Sequence, residues 1–371
     1  MPEQLNPSLI QLRDRVKSLG TEITELVQDK NINGRETTTR IVKASKEAGV
    51  FFMTQPKEFG GSQASLLELV IVRDTLGSMN LAHIHGIFGP GPGVLAGVDE
   101  PLKSTYLEPQ MSGDKRGAFG FTEPDNVERH TWGRIEHNKL IVNGQKSYVT
   151  GGADADFINT LVEIDDQGKS MVVFDRNEMG VSINRTFDSL DGTSHAYIEF
   201  KDVTLSINNI IGKPGEGIPR ALGQIGNTRL AFAAESVGLA RWVIDFVTEH
   251  LKTPHRSGIP LGEREGVRMR YSDMRIQAFA ARSMVYRTAR IADSGENVIN
   301  EVIACKVFAT EMIAGIVDTA IQLVGGVALR TGHPLEELYR RIRTLRLAEG
   351  ASDILRISLA KGQLELAKGR I

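Results

Sequence analysis

The feature that most constrains this chain is a double change of hydrophobic period. From about Pro7 to Leu107 apolar residues recur at helical spacing, as in Leu9, Leu12, Val16 and Leu19, and again in Leu66, Leu67, Val70, Val72 and Leu76. Between roughly Gly117 and Gly217 the pattern becomes short alternating or apolar runs bounded by turn residues: Leu140–Val149, Phe157–Val162, Met171–Phe174 and Ala196–Phe200. From Leu230 helical spacing returns through Ala233, Val237, Ala240, Val243 and Val247 to Leu251, and Pro254 ends it. Further helices are expected at about 264–292, 297–324 and 335–348, with short connections that favour an antiparallel bundle. The fold class is mainly α with an antiparallel sheet or small β-barrel as the middle domain, divided at 1–114, 115–218 and 219–371. Asn143-Gly144 and Asp166-Gln167-Gly168 supply turn chemistry for the sheet, and loops are expected at Gly60-Gly61 and around Gly89–Gly93.

With 371 residues, 41% hydrophobic and 24% charged, the chain can bury a large core. A formal net charge of -2 gives no electrostatic reason to expect nucleic acid or an anionic membrane as partner, so a small molecule is the expected ligand. The lone Cys305 excludes an internal disulfide framework. Met1-Pro2-Glu3-Gln4 and the residues after it lack the plan of a secretion or transit signal, and no apolar run is expected to reach membrane-spanning length. A cytoplasmic location is therefore expected.

The chemistry-bearing stretch is the tail. Helical spacing through Leu335, Leu338, Ile342 and Leu345 stops at Gly350 and resumes from Ser352 with Ile354, Leu355 and Leu359. Glu349 therefore sits at a junction between helices, where a carboxylate can be aimed into a cleft and desolvated for use as a general base. Other motifs are weaker. Gly91-Pro92-Gly93-Val94-Leu95-Ala96 fits G-x-G-x-x-A but lies among helices with prolines in the turn, so it reads as a loop. His83-Ile84-His85 lacks a third ligand, and no metal site is expected. Phe119-Gly120-Phe121-Thr122-Glu123-Pro124 and Tyr148-Val149-Thr150-Gly151-Gly152 stand at strand ends. Their hydroxyls, backbone N–H groups and rings could hold a planar heteroaromatic ligand.

Taken in order, Thr122-Glu123-Pro124, Asn143-Gly144-x-Lys146-x-Tyr148-Val149-Thr150, Gln322-x-x-Gly325-Gly326, Pro334-x-Glu336-x-Leu338-Tyr339-Arg340 and Glu349-Gly350-x-Ser352 make the whole chain resemble the acyl-CoA dehydrogenase family. The resemblance implies an N-terminal helical domain, a middle β-barrel and a C-terminal four-helix bundle, with FAD as cofactor. It implies a homotetramer or homodimer, an acyl-CoA substrate, fatty acid metabolism, and an electron-transfer flavoprotein or similar acceptor. By motif position Glu349 is the implied base for the α-proton of an acyl thioester, its backbone N–H a donor to the thioester oxygen, while a hydride leaves the β-carbon for the flavin. Phe119, Thr122, Tyr148 and Thr150 are implied flavin contacts. Gln322, Gly325 and Gly326 are implied at the adenine or pyrophosphate end, and Arg229 and Gly350 at the acyl site.

Departures from the family pattern cluster where phosphates and coenzyme A are expected. Glu128 stands where a serine is usual, and its carboxylate requires Arg129 or another cation beside a phosphate. Tyr148 replaces a tryptophan, Gly226 an acidic residue and Ala351 a threonine, while Pro254-His255-Arg256-Ser257-Gly258 replaces an R-x-x-F-G segment and leaves Arg256 as the substitute. These changes also fit an acyl group on a carrier protein or a non-catalytic subunit of a hetero-oligomer. A flavin monooxygenase or oxidase on the same scaffold is a further alternative.

Overall fold

The computed structural model describes residues 5–29 and 31–366, so Met1–Gln4, part of the segment read for a leader, lie outside the described residues. The chain forms two compact units: Met1–Thr54, Ser62–Gly89 and Gly226–Ile371 in one, Gln55–Gly61 and Pro90–Ile225 in the other.

The first unit is helical. Helix α1 (Pro7–Gln28) starts behind Asn6, whose side chain accepts from Leu9 N–H at 2.9 Å, with Pro7 in the first turn where its missing N–H costs nothing. It is followed by α2 (Gly34–Glu47) and by α3 (Leu66–Gly77), which opens with a reciprocal Ser65–Glu68 capping box. A short α4 (Glu108–Ser112) belongs to the other unit. The long helices are α5 (Gly217–Lys252), α6 (Glu265–Asp293) and α7 (Ile299–Val324), followed by α8 (Pro334–Arg343) and α9 (Ser352–Leu364). Helix α5 begins well before the first apolar repeat read from Leu230, so Arg229 lies inside it rather than at its start. The apolar stripes meet around Ile71, Val237, Val243, Val285, Ile313 and Val317, all fully buried. Where α3 crosses α5, a Cβ on Gly238 would stand 2.3 Å from the Asp74 carbonyl oxygen, so only glycine permits that approach.

Helix α7 corrects the expectation about apolar runs: by length and composition it is long and apolar enough to cross a membrane. In this unit it is a core helix, with Cys305, Ala309, Ile313, Ile316 and Ala320 packed among the other helices.

The second unit carries β1 (Gly117–Gly120), β2 (Trp132–Glu136), β3 (Lys139–Thr150), β4 (Phe157–Ile164), β5 (Gly168–Asp175), β6 (Val181–Asp188), β7 (Ser194–Ser206) and β8 (Ile210–Ile211). The path β6-β7-β3-β2-β4-β5-β8 does not close, and β1 also pairs with β4. Both β1 and β2 run parallel to β4, so the sheet is mixed rather than the antiparallel one expected from alternation alone. Inward residues of both faces are buried. Leu140, Val142, Ile158, Phe174, Ile198 and Phe200 pack on one side, while Phe157, Met171 and Val173 meet Val94, Tyr106 and Leu107 on the other.

The β2–β3 hairpin turns at His137-Asn138, both at positive φ (48° and 62°), and not at Asn143-Gly144. The latter pair marks a register shift inside β3, where a Cβ on Gly144 would meet Thr131 at 2.5 Å. Asp166 (φ 61°) and Gly168 (φ 82°) do form the β4–β5 turn.

Candidate active site

Glu349 lies in the break between α8 and α9, after a short 3-10 turn at Thr344–Arg346. Its φ is 55°, a left-handed conformation that costs a residue with a side chain on the order of 1 kcal/mol or more, and Gly350 follows at φ 107°. Two cations hold this strained pair by its main chain. Arg229 Nε on α5 donates to the Glu349 carbonyl at 2.9 Å, and Lys306 Nζ on α7 donates to the Gly350 carbonyl at 2.8 Å. A Cβ on Gly350 would stand 3.0 Å from Leu355 and 3.3 Å from Arg229 Nη2, so this position requires glycine for space as well as for φ.

Because both cations bond carbonyls, the Glu349 carboxylate keeps its lone pairs for other work. Burial pushes its pKa above the ordinary carboxylate value, against the pull of Arg229 and then Lys306. Burial likewise lowers Arg229, opposed by Glu349. Lys306 is brought down to about 8, by burial and by Arg229 and Arg346, against Glu311 and Glu349. The arrangement is a partly desolvated carboxylate at a fixed backbone position, poised to accept a proton.

In the sheet unit the backbone joins the two threonine motifs: Ser147 N–H donates to the Thr122 carbonyl at 2.8 Å. A second register shift in β3, between Lys146 and Val149, puts Tyr148 at φ 54° and leaves it 58% exposed, its ring edge-on to Phe187 at 5.3 Å. Thr150 Oγ1 lies 3.2 Å from His195 Nδ1, and His195 Nε2 lies 3.1 Å from Ser189 Oγ. Phe119 stacks on Phe121 with centroids 5.8 Å apart and is partly buried, so its ring serves the core, while its backbone lies in the β1–β4 pairing opposite Asn159. Beneath Thr122 lies an ion pair. Lys146, 1% exposed, bonds Glu123 Oε1 at 2.5 Å, Thr131 N–H donates to the same oxygen at 2.9 Å, and His130 closes on the other oxygen. Burial pushes Glu123 up, but the bonds from Lys146, Thr131 and His130 outweigh it and hold Glu123 at about 2; Lys146 is lowered by burial, against Glu123.

The remaining expected positions are dispersed. Gln322, Gly325 and Gly326 gather at the C-terminal end of α7, where Gly325 at φ 86° ends the helix and a Cβ on Gly326 would meet nothing. Arg256 is exposed on the loop between α5 and α6, which a bridge from Pro254 to Pro260 draws together. Glu128 is exposed, and Arg129 does not compensate it: that guanidinium pairs with Asp165 at 2.7 Å and stacks on Trp132 at 4.2 Å. Arg229 engages the main chain of Glu349 rather than forming the structural ion pair that is the ordinary role of such an arginine.

Sequence reasoning assigned no role to Lys306, Lys146 or His195. A signal existed for the first: Lys306 interrupts the most apolar helix on its inward face, between Val302 and Ala309, where an unpaired lysine is rare.

One unit thus carries a carboxylate at a helix break, and the other a mixed sheet with an exposed aromatic, Tyr148. Models of the acyl-CoA dehydrogenase N-terminal, middle and C-terminal domains match residues 7–114, 118–203 and 215–364. The chain is 26% identical to a 3-(aryl)acrylate reductase of Clostridium sporogenes, covering 95% of this chain and 98% of that one. It is also 26% identical to an acyl-CoA dehydrogenase of Bacillus subtilis, covering 87% and 89%. Among solved structures, an acyl-CoA dehydrogenase complexed with FAD from Bacillus anthracis superposes with a TM-score of 0.82 at 21% identity, over 99% of this chain and 68% of that one. The chain belongs to the acyl-CoA dehydrogenase family. It is a flavin oxidoreductase whose cofactor is FAD.

Proposed function

We propose that the protein catalyses α,β-dehydrogenation of an acyl-CoA, with Glu349 as the base that removes the α-proton. The observation that carries this reading is the Glu349 break itself: a half-buried carboxylate with raised pKa, free of hydrogen bonds among the described residues, on a backbone fixed by Arg229 and Lys306. Bound FAD supplies the acceptor for the hydride that leaves the β-carbon. The α-proton goes to the Glu349 carboxylate, the C–H electrons remain with the substrate as an enolate, and the product is the 2-enoyl thioester. The Glu349 N–H donates to the thioester oxygen and carries part of the negative charge that develops there.

Thr122, Tyr148 and Thr150, with the Phe119 backbone, hold the flavin ring. The exposed face of Tyr148 and the available hydroxyl of Thr122 fit that assignment. Gln322, Gly325, Gly326 and Arg256 take the adenine and phosphate end, where the lack of obstruction at Gly326 allows close approach. Exposed Met269, Ile276 and Phe279 on α6 and Ile354 and Ile357 on α9 support assembly as a homotetramer, with an electron-transfer flavoprotein as acceptor.

A second reading runs the same site backwards: bound reduced FAD would supply the hydride to the β-carbon of an enoyl thioester, and protonated Glu349 would deliver the proton to the α-carbon. The name of the acrylate-reducing relative and the raised Glu349 pKa favour it. Anaerobic addition of an acyl-CoA panel to the purified holoprotein tests the first reading. Bleaching of the flavin band is expected. A band that persists with every acyl thioester, and that 2-enoyl-CoA restores after chemical reduction, reverses the direction.

A further inference from the structure

We propose that Lys306 is a positioning residue for the base: it ties the Gly350 carbonyl to α7, and its charge sets the pH range in which Glu349 is ionised. The inference rests on the reading of Glu349 as base and adds a residue to it. Lys306 is 0% exposed and sits in the most apolar helix of the chain, among Val302, Cys305, Ala309 and Ile313. A buried ammonium costs several kcal/mol, and among the described residues no carboxylate bonds this one directly. Its hydrogen bond goes to the carbonyl one residue past Glu349, at 2.8 Å. A leucine or methionine would fill the same place in the bundle without that cost, so the ammonium is explained by what it reaches.

What it reaches is the junction where two consecutive residues have positive φ, 55° and 107°. Arg229 alone would hold the first carbonyl and leave the second free to turn. With both carbonyls bonded, from α5 and from α7, the Cα–Cβ direction of Glu349 is fixed between two helices, as a base aimed at a single C–H bond requires. The charged and titratable groups around Lys306 are Arg229 on α5, Glu311 on its own helix, and Arg346 and Glu349 in the α8–α9 segment. Arg346 is drawn off by Glu311 at 2.8 Å. Lys306 therefore acts with Arg229 to favour the ionised form of Glu349.

The sign of the lysine's own titration supplies a test that needs no turnover. Its folded pKa is about 8 against an ordinary 10.5, so the unfolded chain binds more protons between those values, and stability contributed by this site rises with pH across that window. The experiment compares wild type, Lys306→Met, Lys306→Gln and Glu349→Gln as holoproteins. Thermal midpoints are read at pH 7 and pH 10, and α-proton exchange of an acyl-CoA in deuterated buffer is read against pH.

Lys306→Met is expected to gain in midpoint relative to wild type at pH 7, and to lose most of that gain by pH 10. The acid limb of its exchange profile is expected to move up by about one pH unit, the effect of removing one nearby opposite charge. Its plateau is expected to fall about tenfold, the loss typical of a loosened catalytic group. Lys306→Gln, which keeps a donor without the charge, is expected to show the same limb shift with a smaller plateau loss. A Lys306→Met midpoint difference independent of pH, or an acid limb unmoved in both variants, overturns the proposal. If Glu349→Gln exchanges as fast as wild type, the base assignment itself fails. The midpoint arm still reports on the lysine, so the two failures are distinguishable.

Discussion

Glu123 and Glu349 each have a buried lysine nearby, and they are held in opposite ways. Glu123 is bonded through its carboxylate by Lys146, Thr131 and His130, and is held at about 2. Glu349 is bonded through its main chain by Arg229, with Lys306 on the next carbonyl, and burial raises its carboxylate. The first is locked as an anion and serves as a strut between the Thr122 segment and β3. The second is free to exchange a proton. Where the cations place their hydrogen bonds, on side chain or on carbonyl, decides whether a desolvated carboxylate is locked as an anion or left able to take up a proton.

The largest effect that could break this contrast is on turnover. Glu349→Gln is expected to lower the rate of flavin reduction by acyl-CoA by about 10²–10⁴-fold, the range for loss of a general base, with an unchanged thermal midpoint or a slight gain from removing a buried charge. Glu123→Gln is expected to do the reverse: a loss of about 3 kcal/mol in unfolding free energy, because Lys146 is left buried and unpaired. Urea denaturation of both variants checks the pair. Equal stability losses would erase the distinction between strut and base.

The pH dependence sharpens it next. Glu123 is depressed from 4.5 to about 2, so it contributes stability that is fully present above about 4.5 and lost as the pH falls toward 2. Acid unfolding of Glu123→Gln is expected to lack that limb. Glu349 is raised, so flavin reduction is expected to decline on the acid side at a pH above the ordinary carboxylate range, and because the folded chain holds the extra proton in that window, the stability contributed by this site is expected to fall as pH rises through it. The smallest effects concern the ring and phosphate contacts. Tyr148→Ala is expected to weaken FAD retention about tenfold and Glu128→Ser to strengthen it by a similar factor, each read by flavin fluorescence on dilution.

The fold was legible because period and length speak plainly: α6 and α7 begin and end within a few residues of the spacing read for them. Strands β3, β4, β5 and β7 carried enough alternation to be seen. The mostly exposed β6 and the short β1, β2 and β8 did not, since a polar or brief strand has no hydrophobic signal. Asn143-Gly144 misled because an Asn-Gly pair suits a bulge as well as a hairpin, and the pairing partner that decides it lies on β7. At the site, the glycine after Glu349 and the restart at Ser352 marked the break, so the position of this carboxylate between two helices could be read from the chain alone. Its clamp could not, because Arg229 and Lys306 reach it across 120 and 44 residues. The same holds for Glu123 and Lys146, 23 residues apart: each sat inside a motif, and only the fold brought them together.

Anaerobic addition of an acyl-CoA to wild-type and Glu349→Gln holoprotein, followed in the flavin absorption band, decides whether Glu349 is the base. Wild type is expected to bleach, whereas Glu349→Gln is expected to bind the thioester, shifting its band, and to stay oxidised. A Glu349→Gln protein that bleaches at the wild-type rate would contradict that role.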